Sequence, residues 1–404
     1  MNALRVVAAT LQPKKPKRLG PVTIFTAAYL VYNLLGLLRA PWMIANAYDK
    51  SLCWDLFLIG LAGLAGGAWL GRRMLRVRRR AAPARGRTSK QLSMLFLLTF
   101  CGCIGFAVIA NHGIPLLQGE DRFGNSALIS NLAPFYGFWV LVRLISDAEH
   151  GRRPSLLPPL VYVTGVLILG YRSPVLAFVL TYTCYLAIFR LSRRRAVWCG
   201  LAVGVALVVF AASLALFRVT QNYDAARFFA NVDVAFIADH PYLLPVIPAL
   251  SMFDFSQSTI AALGSVLHEP MYGGLFLSNF ETFLPGKHWG ARNIIGDLTG
   301  ARWIAGRPMS ITPTLQGALF VDFGQAGVFA GFFLLAIAIR MCHAAATSGG
   351  ALARFCFCFF FAMTLMAIHA GYWDVSFVFV GIFVLTIKVF DRLKAFSRTH
   401  ESLT

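Results

Sequence analysis

Charge is what this sequence has least of. Only 13% of its residues are Asp, Glu, Lys or Arg, and acidic side chains number 17 in 404. A chain of this length folding in water would form two or three domains, each with a surface to be made polar. Thirty-seven Lys and Arg, 17 acids and 8 His cannot cover that surface. A soluble globular protein is excluded, and 58% hydrophobic residues exclude a disordered chain. Nucleotide signatures are missing too. There is no phosphate-binding loop and no dinucleotide glycine pattern, so neither nucleotide hydrolysis nor a dinucleotide cofactor is signalled. No His/Cys cluster stands at metal-ligand spacing. The 8 cysteines (Cys53, Cys101, Cys103, Cys184, Cys199, Cys342, Cys356 and Cys358) lie in or beside apolar runs, which gives no framework of external disulfides. Cys101/Cys103 and Cys356/Cys358 are two apart on predicted helices and share no face, so they read as small apolar side chains.

What the chain has is length in lipid. Its mean hydropathy is +0.66. Ten stretches approach the 17–25 apolar residues that cross a bilayer: 20–38, 53–71, 92–110, 127–146, 155–170, 175–190, 196–216, 325–340, 353–371 and 375–389. The first reads as a retained anchor rather than a removable signal. The predicted class is an all-α polytopic membrane protein of about ten transmembrane helices with one large, partly helical outer loop. Its organisation is a seven-helix region over 1–216, the loop over 217–324, and three helices with a tail over 325–404. Lys and Arg assign the sides. One set of loops, with both termini, holds 27 of them and the other holds 10, so the first set and both termini are predicted cytoplasmic. The net charge of +20 thus reflects cytoplasmic loops. The run Arg72, Arg73, Arg76, Arg78, Arg79, Arg80 reads as an anchor to anionic headgroups, with no nucleic-acid partner expected.

The connections are very unequal. Most are short, but the outward segment from Phe217 to Phe323 exceeds 100 residues, which predicts a folded, functional element. Apolar stretches at Tyr242–Leu250 and Ile260–Leu267 predict helices lying on or dipping into the outer membrane face. Pro241, Pro245 and Pro248 argue against one straight spanning helix there, and Tyr223–Val232 reads as a short helix.

Metal-binding acidic motifs are scarce. No Asp-x-Asp or Glu-x-Asp triplet occurs, the one Asp-x-Glu triplet (Asp147-Ala148-Glu149) is cytoplasmic, and the first outer loop holds only Asp49. Glu120-Asp121-Arg122 is a weak outward metal signal that also reads as a solvated turn. More informative are seven arginines on the side where the charge rule makes them least expected: Arg122, Arg172, Arg218, Arg227, Arg292, Arg302 and Arg307. Each alone could be an interfacial anchor. Together they suit a diphosphate, because a guanidinium stays charged and presents paired N–H donors to phosphate oxygens. No metal and no other cofactor is then required. Candidate acid–base groups share the large loop: Glu281, Asp254 in an apolar stretch, His288 and His268. His369, inside the ninth stretch, reads first as a helix-packing residue, although an ionisable group in a membrane is also a functional lead. Asp322 reads as marking the outer start of a span.

Three stretches, in this order, carry a family resemblance: Gly113–Arg122, Gly170–Pro174, and above all Thr312-Pro313-Thr314-Leu315-Gln316-Gly317-Ala318-Leu319-Phe320-Val321-Asp322-Phe323-Gly324-Gln325-Ala326-Gly327. The chain resembles the O-antigen or oligosaccharide repeat-unit polymerases, the Wzy type, of bacterial inner membranes. The Arg-x15-Gly pair of some members is absent; Arg122 to Gly137 and Arg302 to Gly317 each enclose 14 residues. The resemblance implies glycosyl transfer in the periplasmic leaflet. Repeat units on undecaprenyl diphosphate would be joined end to end, the outer arginines would hold the diphosphate, and Glu281, Asp254 or a loop histidine such as His288 would deprotonate the acceptor hydroxyl. Membrane lipids and a chain-length regulator protein are the further partners it suggests. Three alternatives stay open: an O-antigen ligase acting on lipid A core, a lipid-linked glycan flippase or transporter, and a metal-dependent polyprenyl-phosphate-sugar transferase.

Overall fold

The computed structural model describes residues 18–38, 50–74, 90–117, 132–171, 173–220, 234–243, 247–282, 289–300, 303–304, 307–308, 310–372 and 376–401. Helices dominate. The first seven are α1 (Pro21–Leu37), α2 (Ser51–Met74), α3 (Lys90–Ala110), α4 (Pro134–Glu149), α5 (Leu157–Ile168), α6 (Ser173–Tyr185) and α7 (Arg193–Thr220). A π-helical turn, Leu186–Arg190, continues α6. After them come α8 (Val234–Asp239), α9 (Ile247–Val266), α10 (Gly274–Glu281) and α11 (Ala291–Leu298). A minimal antiparallel hairpin, β1 (Trp303–Ile304) with β2 (Arg307–Pro308), precedes α12 (Thr314–Ser348), α13 (Ala351–Ala370) and α14 (Ser376–Glu401). Each of the ten predicted apolar stretches overlaps one of α1–α7 or α12–α14, the start of stretch 127–146 lying outside the described residues. Among the described residues five helical segments are by themselves long and apolar enough to cross a membrane: Ser51–Met74, Gln91–Ala110, Ser173–Arg190, Thr314–Ser348 and Ala351–Ala370.

Glycine allows α2 and α12 to approach closely. Gly60, Gly63, Gly67 and Gly71 line the face of α2 that meets α12. A Cβ on Gly63 would stand 2.5 Å from the Phe329 carbonyl oxygen, and one on Gly67 2.2 Å from that of Phe333. Lipid tails are as apolar as the helices, so no hydrophobic force separates helix from lipid; small residues let backbones approach and gain dispersion instead. Elsewhere aromatic rings fill the space. Phe96 of α3, Phe135 and Phe138 of α4, Phe355 and Phe359 of α13 and Phe383 of α14 form one contiguous cluster of tilted and edge-to-face rings with centroids 5.2–6.3 Å apart.

The segment predicted as one large loop is partly helical, and its main helix is not superficial. Pro241 opens a 3-10 turn over Pro241–Leu243, and Pro248 falls in the first turn of α9, where its missing N–H costs nothing; Pro245 lies outside the described residues. α9 packs against α1, α2, α7 and α12 rather than lying on the bundle, with Ile260 and Leu263 fully buried. The stretch Thr314–Phe323, predicted as the end of the loop, already belongs to α12. The predicted helix at Tyr223–Val232 lies outside the described residues.

Candidate functional site

The site is built around the Thr312–Gly327 stretch. Thr314 opens α12 at a φ of 62°, and its Oγ1 accepts the Gly317 N–H at 3.2 Å, capping the first turn. Gln316 is buried against α1, its Oε1 accepting the Tyr29 hydroxyl. Gly317 leaves room for α9: a Cβ there would lie 3.0 Å from Ile260. One turn on, Asp322 is fully buried. Its two oxygens accept the Leu275 N–H at 2.8 Å and the Phe276 N–H at 2.9 Å, in the first turn of α10. A carboxylate is the natural partner there, since a helix begins with unpaired donors and a positive dipole end. The Tyr372 hydroxyl donates to the same carboxylate at 2.5 Å. Burial first, and then the hydrogen bond and charge of Asp322, push the Tyr372 phenol well above the usual tyrosine range.

The glycines of the stretch have equally specific duties. Gly324 has φ 66° and ψ −164°, a region essentially closed to other residues, and it breaks α12. Gly327 makes room for Phe323, whose Cβ would stand 2.1 Å from an added Cβ. Phe323 in turn reaches Gly273, the residue at φ 91° that precedes α10. Gly371, at φ 95°, ends α13 beside Pro313, so that Tyr372 turns back onto α12. Further bonds extend the scaffold: Asn279 Oδ1 accepts the Ala291 N–H at 3.3 Å, Asn293 Nδ2 donates to the Pro308 carbonyl at 2.7 Å, and the Ile311 N–H donates to the Arg292 carbonyl at 2.9 Å. Helices α10 and α11 and the hairpin are thereby fixed to the start of α12.

Beside this scaffold a polar seam joins α1, α9, α12 and α13. Tyr32 of α1 lies 2.8 Å from Ser256 Oγ of α9 and 2.7 Å from His369 Nδ1 of α13; Ser256 Oγ is 3.4 Å from the same nitrogen. One helical step away, Gln257 Nε2 donates to Asn33 Oδ1 at 3.1 Å, and Asn33 Nδ2 donates to the Tyr29 carbonyl at 2.9 Å. Gln257 Oε1 and Gln316 Nε2 are buried with no hydrogen-bond partner among the described residues. At the end of α1, Lys50 Nζ lies 3.4 Å from Asp254 Oδ1 and within 3.3–3.5 Å of the Leu37 and Gly36 carbonyls. A cation over a helix C-terminus is favourable, and here its counter-ion comes from α9.

The predicted site residues distribute unevenly. Asp254 is buried and paired with Lys50. Glu281 and Arg292 are exposed on α10 and α11, which pack together. Arg218 lies in the last turn of α7 and Arg307 in β2, and only their backbones are described. Arg122, Arg172, Arg227, Arg302 and His288 lie outside the described residues, as does Glu120-Asp121. The Asp-x-Glu triplet makes ion pairs, Glu149 with Arg354 of α13 and Asp147 with Arg143 at 3.9 Å. No group of three or more potential metal ligands occurs among the described residues. Sequence reasoning passed over the capping role of Asp322 and the Tyr32–Ser256–His369 contact. The signals available were a lone ionisable residue in an apolar helix and an acid preceding Phe-Gly at the head of another.

No curated protein and no solved structure matches the chain. A family model does: the one described as "Putative O-antigen polymerase" matches residues 246–380, a span running from the start of α9 into α14. That span contains the Asp322 scaffold and two of the three contributors to the histidine contact. This chain is a membrane protein that is similar to the O-antigen polymerase family over residues 246–380, as Thr312–Gly327 led one to expect.

Proposed function

We propose that the chain polymerises oligosaccharide repeat units carried on undecaprenyl diphosphate. The reaction takes place at the periplasmic face of the bacterial inner membrane, with both termini in the cytoplasm. The observation that carries this reading is the placement of the matched segment. α9, α12 and α13 bring polar residues together in one seam, and the Lys/Arg distribution supports an outward position for it. In the reaction a hydroxyl of the incoming unit attacks the anomeric carbon of the donor chain. The bond from that carbon to the diphosphate oxygen breaks, its electron pair leaves with undecaprenyl diphosphate, and the acceptor proton passes to a base. Arg122, Arg172, Arg218, Arg227, Arg292, Arg302 and Arg307 supply the guanidiniums that hold and stabilise the departing diphosphate. Glu281, Asp254 and His288 are the loop groups suited to the proton. The transfer is independent of metal ions.

The test is a glycan gel from a deletion strain. Loss of this chain should leave single repeat units on lipid A core, and its return should restore the ladder, with membranes remaining active in EDTA. Complete loss of units from lipid A core would make the chain a ligase instead. EDTA inhibition reversed by magnesium would refute metal independence.

A further inference from the structure

We propose that His369, oriented by Tyr32 and Ser256, rather than Glu281, Asp254 or His288 of the loop, is the group that takes the proton from the acceptor hydroxyl. The inference rests on the polymerase reading and deepens it. Three helices distant in sequence meet at this contact, and each brings a polar side chain: Tyr32 from α1, Ser256 from α9 and His369 from α13. Packing alone does not call for this. A histidine in an apolar helix is expensive, and apolar side chains of the same size would join three helices at lower cost. The surrounding seam shows the same excess of polarity, since Gln257 and Gln316 keep buried amide atoms without hydrogen-bond partners among the described residues.

Position favours chemistry as well. His369 is the penultimate residue of α13 and half-buried, whereas Ser256 beneath it is fully buried. Two residues later the chain turns at Gly371 and is pinned through Tyr372 to Asp322, so the end of α13 is held to the scaffold of the matched segment. For Nε2 to carry the lone pair that a base needs, Nδ1–H donates to the Tyr32 oxygen and the Tyr32 hydroxyl donates to Ser256, an order that the 2.7 and 2.8 Å separations accommodate. The acceptor O–H proton transfers to Nε2 as the oxygen bonds to the anomeric carbon and the carbon–diphosphate bond breaks. The imidazolium then returns its proton to water.

His369→Asn separates fold from chemistry, because the Asn amide sits where Nδ1 was and keeps the bond to Tyr32 while removing Nε2. In membranes given lipid-linked repeat units, wild-type chain should build polymer. The Asn variant should accumulate normally, bind donor with unchanged affinity, and polymerise roughly 10²–10⁴-fold more slowly. Added imidazole should restore part of the rate to a His369→Gly variant, a rescue that a purely structural histidine would not give. Polymerisation by the Asn variant within about threefold of wild type would overturn the assignment, as would a rate lost only in Glu281→Gln, Asp254→Asn or His288→Asn. Wild-type chain that made no polymer would overturn the polymerase reading and this inference with it, a result distinct from polymer made equally by wild type and variant.

Discussion

Removing the Asp322 carboxylate should release the N-terminus of α10. Two backbone donors, Leu275 N–H and Phe276 N–H, end on its oxygens at 2.8 and 2.9 Å. A hydrogen bond to a charged group contributes about 1.5–3 kcal/mol, so the pair holds α10 with about 3–6 kcal/mol. Asp322→Asn keeps one acceptor and turns an N–H toward the other donor, forfeiting about half of this. Tyr372 softens that loss, since its hydroxyl already lies 3.2 Å from the Ala318 carbonyl and can turn to it. Asp322→Ala forfeits the whole. At about 1.4 kcal/mol per factor of ten, amide exchange in the peptide 273–282 should quicken roughly 10–100-fold in the Asn variant and roughly 10²–10⁴-fold in the Ala variant. The measurement is hydrogen–deuterium exchange with mass spectrometry on the detergent-solubilised protein, with a peptide from the aromatic cluster of α4 as the internal reference. Equal exchange in Asn and Ala variants, or an Ala variant within about threefold of wild type, would show that the carboxylate does not hold the helix. Faster exchange everywhere would show global unfolding and refute the local argument.

Three further outcomes follow from the same geometry. Gly67→Leu should abolish accumulation in the membrane, since its Cβ would meet the backbone oxygen of Phe333 at 2.2 Å, whereas Gly102→Leu, with nothing within 4 Å, should accumulate normally on an immunoblot. Lys50→Met should lower stability by about 1–3 kcal/mol, short of a fully buried pair because Lys50 keeps 23% exposure; thermal melting should show part of the loss recovered in Lys50→Met/Asp254→Asn, and a purely additive double variant would remove the coupling. Arg292→Ala should weaken apparent donor affinity roughly 10–100-fold if the exposed guanidinium meets the diphosphate, at the cost of one charge-assisted bond; an unchanged KM removes Arg292 from the site.

How much of this was legible in the sequence depends on the range of the contacts. Helix formation in apolar stretches is a local property, and each predicted stretch contains a helix. The Thr312–Gly327 stretch was legible as a motif because its requirements are mostly local: a capping threonine, a glycine at a forbidden φ/ψ, and a glycine that admits Phe323. The partners of Asp322 were not legible, since Leu275 lies 47 residues away and Tyr372 lies 50. Still less visible was the histidine contact, where Tyr32 is separated from Ser256 by 224 residues and from His369 by 337. No periodicity encodes which faces of three apolar helices turn together. The same limit applied to α9. Its apolar stretches and prolines suggested helices lying on or dipping into the membrane face, but the close approach of Gly36 to Phe253 and Gln257 draws it into the bundle.

The break at Gly324 also bears on how the protein sits in lipid. A straight helix of 35 residues would be about 52 Å long against a hydrocarbon layer of about 30 Å. Interrupted where it is, the rod becomes a leg of about 36 Å after the glycine and one of about 15 Å before it. Only the longer leg is long enough by itself to match that layer. The shorter one, tied to its neighbours through Gln316 and Asp322, answers to the protein instead. A thicker or thinner membrane can then tilt the long leg without moving the groups assembled on the short one, which uncouples hydrophobic matching from the geometry of the Gln316 and Asp322 contacts.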